Sequence, residues 1–243
     1  MVENNTAPGY LFVHLPKTAG TSFRGALANV LGEDAISPPF LASRLSEQDV
    51  ARLDRYRAIA GHISIDDTAP FQSRCLLTVL RNPTDRCLSW YYFAHSSRSV
   101  PGQSPEVRAA QECSAGDFFR LDQRIIFRNI FNRQVRQLGG HVLDDDIDLK
   151  AALSRAKRTL RDAAWVGRVE TLPADLMRLR RRYLEFADFE LLKLNVTPDR
   201  KSMDALDPDI IAQIRSLNAY DLELCCFATE EISAGRLGNG GSP

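Results

Sequence analysis

The sequence predicts an α/β fold, with a central parallel sheet flanked by helices on both faces. Short apolar, β-prone segments alternate along the chain with longer segments of helical periodicity, which is the pattern of βαβ units. The segment CLLTVL at 75–80 is almost continuously apolar, as expected for a strand buried on both faces. Of the 243 residues, 44% are hydrophobic and 26% are charged, a globular composition that excludes a disordered, collagen-like or coiled-coil chain.

Short apolar segments bounded by polar residues predict the strands. They are 10–15, 57–65, 75–80, 164–169 and 190–195. Pro16 closes the first of them, and the sequence Arg-Asn-Pro at 81–83 ends the third. In a parallel sheet, ligands bind at the carboxyl ends of the strands. The first loop, His62 and Arg81 are therefore expected on one rim of the sheet.

Segments with apolar residues at helical spacing predict the helices. They are 23–32, 46–56, 84–92, 122–138, 149–160, 173–186 and 207–219. Ser46, with Asp49 three residues later, provides an N-cap and an acidic first turn. Residues 96–117 are rich in Ser, Pro and Gly and predict a mobile loop. We expect a single domain at 1–232, ending in a short apolar tail, and then a flexible Gly-rich tail at 233–243.

The charge balance argues against two classes of binding protein. Lys and Arg number 31, as do Asp and Glu, so excess positive charge for binding nucleic acid or a membrane surface is lacking. No segment reaches the roughly 18 apolar residues of a membrane span, and no signal peptide is recognisable. The five cysteines form no Cys-x-x-Cys pair and no metal-ligand spacing. We therefore expect a cytoplasmic protein, in a reducing compartment, without a metal site.

The loop after the first strand has the properties of an anion-binding site. It lies between a strand and a helix N-terminus, where backbone N–H groups lack intrahelical acceptors and the helix dipole is positive. Gly20 relaxes the backbone, Thr21 and Ser22 add hydroxyl donors, and Lys17 adds a positive charge. The alternative is an ordinary capped helix start, and the Pro-Lys pair at the end of the strand argues against it.

The spacing in this loop differs from that of the NTPase phosphate-binding loop. The NTPase pattern is Gly-x4-Gly-Lys-Ser/Thr, with the lysine late in the loop, whereas Lys17 comes early and Thr21 follows Gly20 directly. NTPases also hold magnesium with an Asp after a neighbouring apolar strand. The corresponding strand ends here in Arg81, which suits a further phosphate better than a metal. These residues predict a nucleotide with an extra phosphate and no obligatory metal.

Two segments together resemble the sulfotransferases that use 3′-phosphoadenosine 5′-phosphosulfate (PAPS). They are HLPKTAGTSF at 14–23 and VLRNPTDRCLSWYYF at 79–93. The likeness is greatest to the carbohydrate branch that includes heparan sulfate 2-O-sulfotransferase and its bacterial relatives, and it implies the P-loop NTPase-like sulfotransferase fold. Weaker matches follow in the expected order: GHIS at 61–64, NRQVRQLGG at 132–140, WVGRVETL at 165–172 and LNVTPDRKS at 194–202.

The resemblance implies a role for each matched residue. The 5′-phosphosulfate would be held by the first motif, that is by Lys17, Thr18, Ala19, Gly20, Thr21 and Ser22. Arg81 and Ser89, eight residues apart, would hold the 3′-phosphate. Arg200 and Lys201 would close over the cofactor from a late loop. Lys17 would also contact the bridging oxygen, the product would be 3′-phosphoadenosine 5′-phosphate (PAP), and no metal would take part.

The acceptor hydroxyl needs a base, and His62 is the first candidate. Imidazole accepts a proton near neutral pH, and His62 matches the base in the Gly-His segment of the family that the chain resembles. Asp66, Asp67 and His95 are reserve candidates. His14 belongs to the first motif, and we expect its ring to be structural and packed under the loop.

The acceptor is less well specified than the donor. Gln134 and Arg136 lie in the family-like segment and would contact it. The arginines at 124, 128, 133 and 136 form either a solvated helix face or a contact with an anionic acceptor such as a uronate. A glycan or a glycosylated or hydroxylated small molecule is expected, and the oligomeric state is open. The alternatives are a nucleotide-dependent small-molecule kinase with an atypical phosphate loop, and a non-catalytic nucleotide-binding protein.

Overall fold

The sheet is parallel throughout, and four of its strands match predicted ones, whereas the short strand at 40–41 was not predicted. The computed structural model describes residues 9–41, 45–97, 104–140, 146–191 and 206–237. The strands are β1 (Tyr10–Val13), β2 (Phe40–Leu41), β3 (Ala58–His62), β4 (Cys75–Leu80) and β5 (Trp165–Arg168). Their order is β2-β3-β1-β4-β5, and each neighbouring pair is parallel. The two-residue β2 is an edge strand, so four longer strands form the body of the sheet.

Helices cover both faces of the sheet. Those in the described residues are α1 (Gly20–Leu31), α2 (Glu47–Leu53), α3 (Pro83–Ser96), α4 (Pro105–Glu112), α5 (Ala115–Phe118), α6 (Gln123–Ile126), α7 (Arg133–Gly139), α8 (Leu149–Asp162), α9 (Leu172–Arg182), α10 (Pro208–Leu217) and α11 (Ala219–Ser233). The predicted α/β class, with a parallel sheet flanked by helices, is confirmed.

The side chains of β1 alternate between two apolar cores. Tyr10 and Phe12 pack with α1 and α9 on one face, whereas Leu11 and Val13 pack with α7, α8 and α11 on the other. This alternation follows from the two-residue period of a strand, and burial on both faces accounts for the continuous apolar sequence. A third apolar cluster joins α3, α4, α5, α6 and α10 and contains no strand residue.

Two predictions about the middle of the chain are wrong. Within 96–117, predicted as a mobile loop, the described residues form α4 and α5, whose N-termini are capped by Ser104 and Ser114. The Ser and Pro residues in this segment therefore start helices. The helix predicted at 122–138 is broken into α6 and α7 by a non-helical segment at 127–132, which ends at Asn132 with a φ of +41°.

The C-terminal part of the chain also differs from the prediction. The expected short apolar tail is the 15-residue helix α11. Leu237, which the sequence places in the flexible tail, is 3% exposed and packs with α8 and α11 in the second core. Most of the strand predicted at 190–195, and residues 238–243 of the tail, lie outside the described residues. No helix in the described part of the chain combines the length and hydropathy needed to span a membrane.

The order of the strands predicts a ligand-binding crevice at the carboxyl ends of β1 and β4. From β1 the chain crosses toward β2 and β3, while from β4 it continues to β5 on the other side. Where neighbouring strands send the chain in opposite directions, the loops diverge and leave a ligand-binding crevice. The loops at 14–19 and 81–82 directly follow these two strands.

Candidate active site

The loop between β1 and α1 has an uncommon backbone conformation. Lys17 and Ala19 have φ angles of +67° and +63°, a left-handed region that residues other than glycine rarely occupy. Alternating left-handed residues are typical of anion-binding turns, in which successive N–H groups point to one side. The Thr18 hydroxyl faces inward and closes the loop by donating to the Leu15 carbonyl at 2.8 Å. Among the described non-glycine residues, Asn132 alone shares a positive φ with these two.

The N-terminal turn of α1 suits an anion. Ala19 precedes it and provides no side-chain cap, and the turn, which is fully described, contains no acidic residue. The first intrahelical backbone bond runs from Phe23 N–H to the Ala19 carbonyl at 3.0 Å. By contrast, the N-termini of α2, α3 and α8 are each capped by a side chain. Thr21 is exposed on this turn, and Ser22 is 8% exposed. The first turn of α1 itself therefore provides no carboxylate at the positive end of the helix dipole.

The His14 ring requires glycine at position 20. A Cβ on Gly20 would lie 1.9 Å from both Nε2 and Cδ2 of His14, far inside van der Waals contact. The His14 ring is itself stacked between two others, with centroid distances of 4.0 Å to His62 and 5.7 Å to Phe12. His14 therefore packs under the loop, as the sequence predicts. Burial, together with His62 and Lys17, lowers the pKa of His14 from 6.5 to about 3, so the ring is neutral.

Lys17 and Arg81 are in contact at the carboxyl ends of β1 and β4. Nη1 of Arg81 donates to the backbone carbonyl of Lys17 at 3.0 Å, which joins the residue after β4 to the loop after β1. Nζ of Lys17 lies 4.1 Å from the centre of the Phe93 ring on α3, a cation–π contact. Both cationic side chains are partly exposed. Two positive charges therefore border the N-terminal turn of α1.

Ser89 lies on α3, one helical turn before Phe93 and on the same face. It is 4% exposed, and its hydroxyl makes no hydrogen bond to the rest of the described chain.

Asn82 caps α3 by accepting from the N–H of Thr84 at 3.0 Å, so the helix starts directly after Arg81. Arg200 and Lys201, predicted to close over the cofactor, lie outside the described residues.

His62 is the last residue of β3, and one of its two ring nitrogens is hydrogen-bonded. Its Nδ1 lies 2.8 Å from the His14 carbonyl, and since a carbonyl only accepts, Nδ1 carries the proton. In the neutral ring the lone pair is then on Nε2, the nitrogen able to accept a proton. Burial, the largest cause, and the charge of Arg133 lower the pKa of His62, whereas the bond to His14 raises it, and the net change is downward. His62 is therefore a neutral imidazole at neutral pH.

Two of the reserve bases, Asp66 and His95, have other partners. Asp66 forms an ion pair with Arg155 on α8. His95 holds the Ala110 carbonyl through Nδ1 at 2.8 Å and stacks on Tyr91 with centroids 5.4 Å apart. His62, unlike His95, stacks on His14, the residue that leads into the loop between β1 and α1.

Two glutamines of α7 hold the ends of three strands together. The Gln134 side chain donates to the Arg81 carbonyl at 2.9 Å and accepts from the Arg81 N–H at 3.0 Å. One turn later, Gln137 Nε2 donates to the carbonyls of His14 at 3.1 Å and Ile63 at 2.9 Å. The exits of β4, β1 and β3 are thus fixed relative to one another by a single helix.

Gln134 and Arg136, expected to contact the acceptor, are both used inside the fold. Each has 0% exposure. The Arg136 guanidinium carbon lies 3.3 Å from the centre of the Phe127 ring, and Nη1 donates to the Phe127 carbonyl at 2.6 Å. Neither side chain can reach an acceptor in this arrangement, because neither has exposed surface. The role that the contacts support for Gln134 is to position Arg81.

Helices α7 and α11 cap each other, an arrangement that sequence reasoning missed. The Asn132 side-chain oxygen accepts from the Tyr220 and Asp221 N–H groups at 3.0 and 3.1 Å. In return the Asp221 carboxylate accepts from the Gln134 and Val135 N–H groups at 3.1 and 2.7 Å. Burial raises the pKa of Asp221, against the opposing effects of a nearby arginine and these bonds. The partners are up to 89 residues apart, so no local signal could have revealed the pairing.

Glu170 is a further residue of the site. Its carboxylate accepts the Asn82 N–H at 2.6 Å, next to the end of β4. The segment WVGRVETL contains this glutamate, but the sequence assigned it no role.

No protein-family model and no curated protein matches the chain. Within the described residues, no group of three or more His, Cys, Asp or Glu side chains is placed to hold a metal ion.

Proposed function

We propose that this protein is a PAPS-dependent O-sulfotransferase that acts on a hydroxyl of a glycan or of a hydroxylated or glycosylated small molecule. The observation that carries the proposal is the convergence of Lys17, Arg81 and His62 on the loop between β1 and α1. Two cations beside a helix whose first turn contains no acidic residue favour a ligand with several anionic groups. A neutral imidazole next to them favours removal of a proton from an acceptor.

The residues present suit both anionic ends of the donor. Lys17 and the first turn of α1 are proposed to hold the 5′-phosphosulfate, and Arg81 with the Ser89 hydroxyl is proposed to hold the 3′-phosphate. PAPS supplies the sulfuryl group when it is bound. The strand order, with the loop after the central β1, supports a sulfotransferase fold related to the P-loop NTPases.

The proposed mechanism depends on charge neutralisation and positioning. Lys17 stabilises negative charge that develops on the leaving phosphate, as a fixed cation does in phosphoryl transfer. Nε2 of His62 accepts the proton of the acceptor hydroxyl, while the Nδ1 bond to His14 holds the ring in place. Gln134 and Gln137 keep these groups in register through the strand ends.

Calorimetric titration with PAP, ATP and ADP, with and without EDTA, tests the proposal. We expect PAP to bind without a metal, and Arg81→Ala to weaken that binding by at least about tenfold, because a charge-assisted pair is lost. Preference for ATP that requires Mg²⁺ would favour a kinase. Tight PAP binding without transfer from labelled PAPS to any acceptor in a broad screen would favour a non-catalytic binding protein.

The proposal includes a location and partners. All five cysteines are free thiols, which fits a reducing, cytoplasmic setting. The partners proposed are the nucleotide donor and a small-molecule or glycan acceptor, with neither nucleic acid nor a membrane among them.

A further inference from the structure

Phe93 is an aromatic side chain that the fold leaves exposed. It lies in the last turn of α3, and 53% of its surface is exposed. The other large hydrophobic side chains that are exposed in the described residues are Ile125, Met177 and Leu184, none of them aromatic. Burial in the core therefore does not account for an aromatic ring at this position. The ring contacts the ammonium group of Lys17 instead.

The Lys17 residue is held at both ends. Its backbone has the left-handed φ of +67°, and its carbonyl accepts from Nη1 of Arg81 at 3.0 Å. At the tip of the side chain, Nζ lies 4.1 Å from the centre of the Phe93 ring, within the distance over which a ring face attracts a cation. The flexible four-carbon stem between these two ends is thereby restricted.

The helix face that holds the Lys17 ammonium also carries Ser89. Phe93 follows Ser89 by four residues, which is one helical turn or about 6 Å along the axis of α3. The end of the helix is closed, because Ser97 Oγ donates to the Phe93 carbonyl at 2.7 Å. The ring therefore fixes the ammonium about one helical turn from the Ser89 side chain. Two anionic groups of one nucleotide could meet these two positions of α3 together.

We propose that Phe93 is a positioning residue whose ring holds the Lys17 ammonium in place before the donor binds. The cation that meets the 5′-phosphosulfate is then already fixed relative to the proposed 3′-phosphate site. This inference rests on the proposed function and adds to it a residue to which the sequence assigned no role. Ordering a lysine side chain costs conformational entropy, and a ligand binds more weakly when binding must supply that cost. The Phe93 contact reduces the cost and so strengthens donor binding.

A series of fluorinated phenylalanines at position 93 of the full chain tests the inference. Mono-, di- and trifluorinated rings weaken the negative potential of the ring face in steps and change its shape little, so a cation–π contact responds to them. Phe93→Trp strengthens the ring face and Phe93→Leu removes it. The matched control is the same series at Phe227 on α11, whose ring contacts two cations of α8, Lys157 and Arg161.

Two quantities are measured for each variant. One is the Kd for PAP by calorimetry. The other is the rate at which acetic anhydride acetylates Lys17 in nucleotide-free protein, relative to the exposed Lys150 in the same sample, by peptide mass spectrometry. The trifluorinated ring and Phe93→Leu should each raise both the Kd and the relative rate by about two- to fivefold, which corresponds to about 0.5–1 kcal/mol for an exposed cation–π contact.

The intermediate fluorinated rings should fall in order between these limits, and Phe93→Trp should bind PAP at least as tightly as wild type. The Phe227 series should change neither quantity. An unchanged value of either quantity across the fluorinated series at position 93 would overturn the proposal, because the ring would then not act through its charge distribution. Tighter PAP binding on fluorination would also overturn it, since Phe93 would then compete with the nucleotide for Lys17.

Failure of the proposed function is distinguishable from failure of this inference. If wild type does not bind PAP, the proposed function fails. The acetylation series, together with a calorimetric titration of the same variants with inorganic pyrophosphate, then still decides whether Phe93 positions Lys17 for an anion.

Discussion

The clash between position 20 and the His14 ring predicts the effect of Gly20→Ala. The new Cβ would lie 1.9 Å from His14 Nε2, so ring and helix must separate by about 1.5 Å to restore normal contact. The ring cannot move freely, because it is stacked between Phe12 and His62. Overpacking of this kind costs about 1–3 kcal/mol, offset by up to about 1 kcal/mol of gained helix propensity.

The effect is measured by urea unfolding of a double-mutant cycle, Gly20→Ala and His14→Ala alone and together. In the His14→Ala background the clash is absent, so Gly20→Ala should become neutral or slightly stabilising, with a coupling energy of about 1–3 kcal/mol. Gly116→Ala is the matched control, because its Cβ would lie 3.4 Å from the flexible end of Arg120. An equal cost of Gly20→Ala in both backgrounds would show that His14 is not the cause.

Three further predictions concern the same site. Lys17→Ala should lower turnover by at least about a hundredfold, as loss of one transition-state donor does, and steady-state kinetics with labelled PAPS would reveal a wild-type rate if the role is mistaken. Gln134→Leu should destabilise the protein by about 2–4 kcal/mol, because the backbone N–H and carbonyl of Arg81 lose their hydrogen bonds to the Gln134 side chain. Urea unfolding measures this loss of stability. A cost below about 1 kcal/mol would contradict the importance of these two bonds. The pKa of His14 is lower in the folded than in the unfolded state, so the unfolded chain takes up a proton at His14 as the pH falls and the folded chain does not. The free energy of unfolding should therefore decrease by about 2 kcal/mol between about pH 7 and pH 5 because of His14. Urea titrations at the two pH values should show a smaller pH dependence of stability in His14→Phe, whereas His95→Gln should keep the wild-type pH dependence. An unchanged pH dependence in His14→Phe would refute the role of His14.

Elements whose signals are local were predictable from the sequence. The strand at 75–80 coincides with β4, and the capping pair Ser46 and Asp49 forms in the structure, with the Asp49 N–H donating to Ser46 at 3.1 Å. Both depend on patterns within a few residues. The rule that parallel strands present their carboxyl ends together also placed the first loop and Arg81 on one rim, and Arg81 does contact Lys17.

Features imposed by distant partners were not predictable. The break before α7 requires Asn132 in a left-handed conformation, which its bonds to α11, up to 89 residues later, hold in place. Gln137 lies in a segment that was singled out, yet only the folded chain shows that its amide reaches His14 and Ile63. The helical period of α7 can be recognised in a single sequence, whereas the strand ends that its side chains contact cannot.

The reciprocal capping of α7 and α11 has a consequence for the order in which parts of the structure can form during synthesis. During synthesis the ribosome releases the loop after β1, Arg81 and α7 well before Asp221. Until α11 emerges, the first turn of α7 lacks the carboxylate that accepts from Gln134 and Val135. Nascent chains that stop before α11 should therefore lack this support for the first turn of α7, and with it the fixed position of Gln134 beside Arg81. The proposed nucleotide site would then be completed only after α11 has been synthesised.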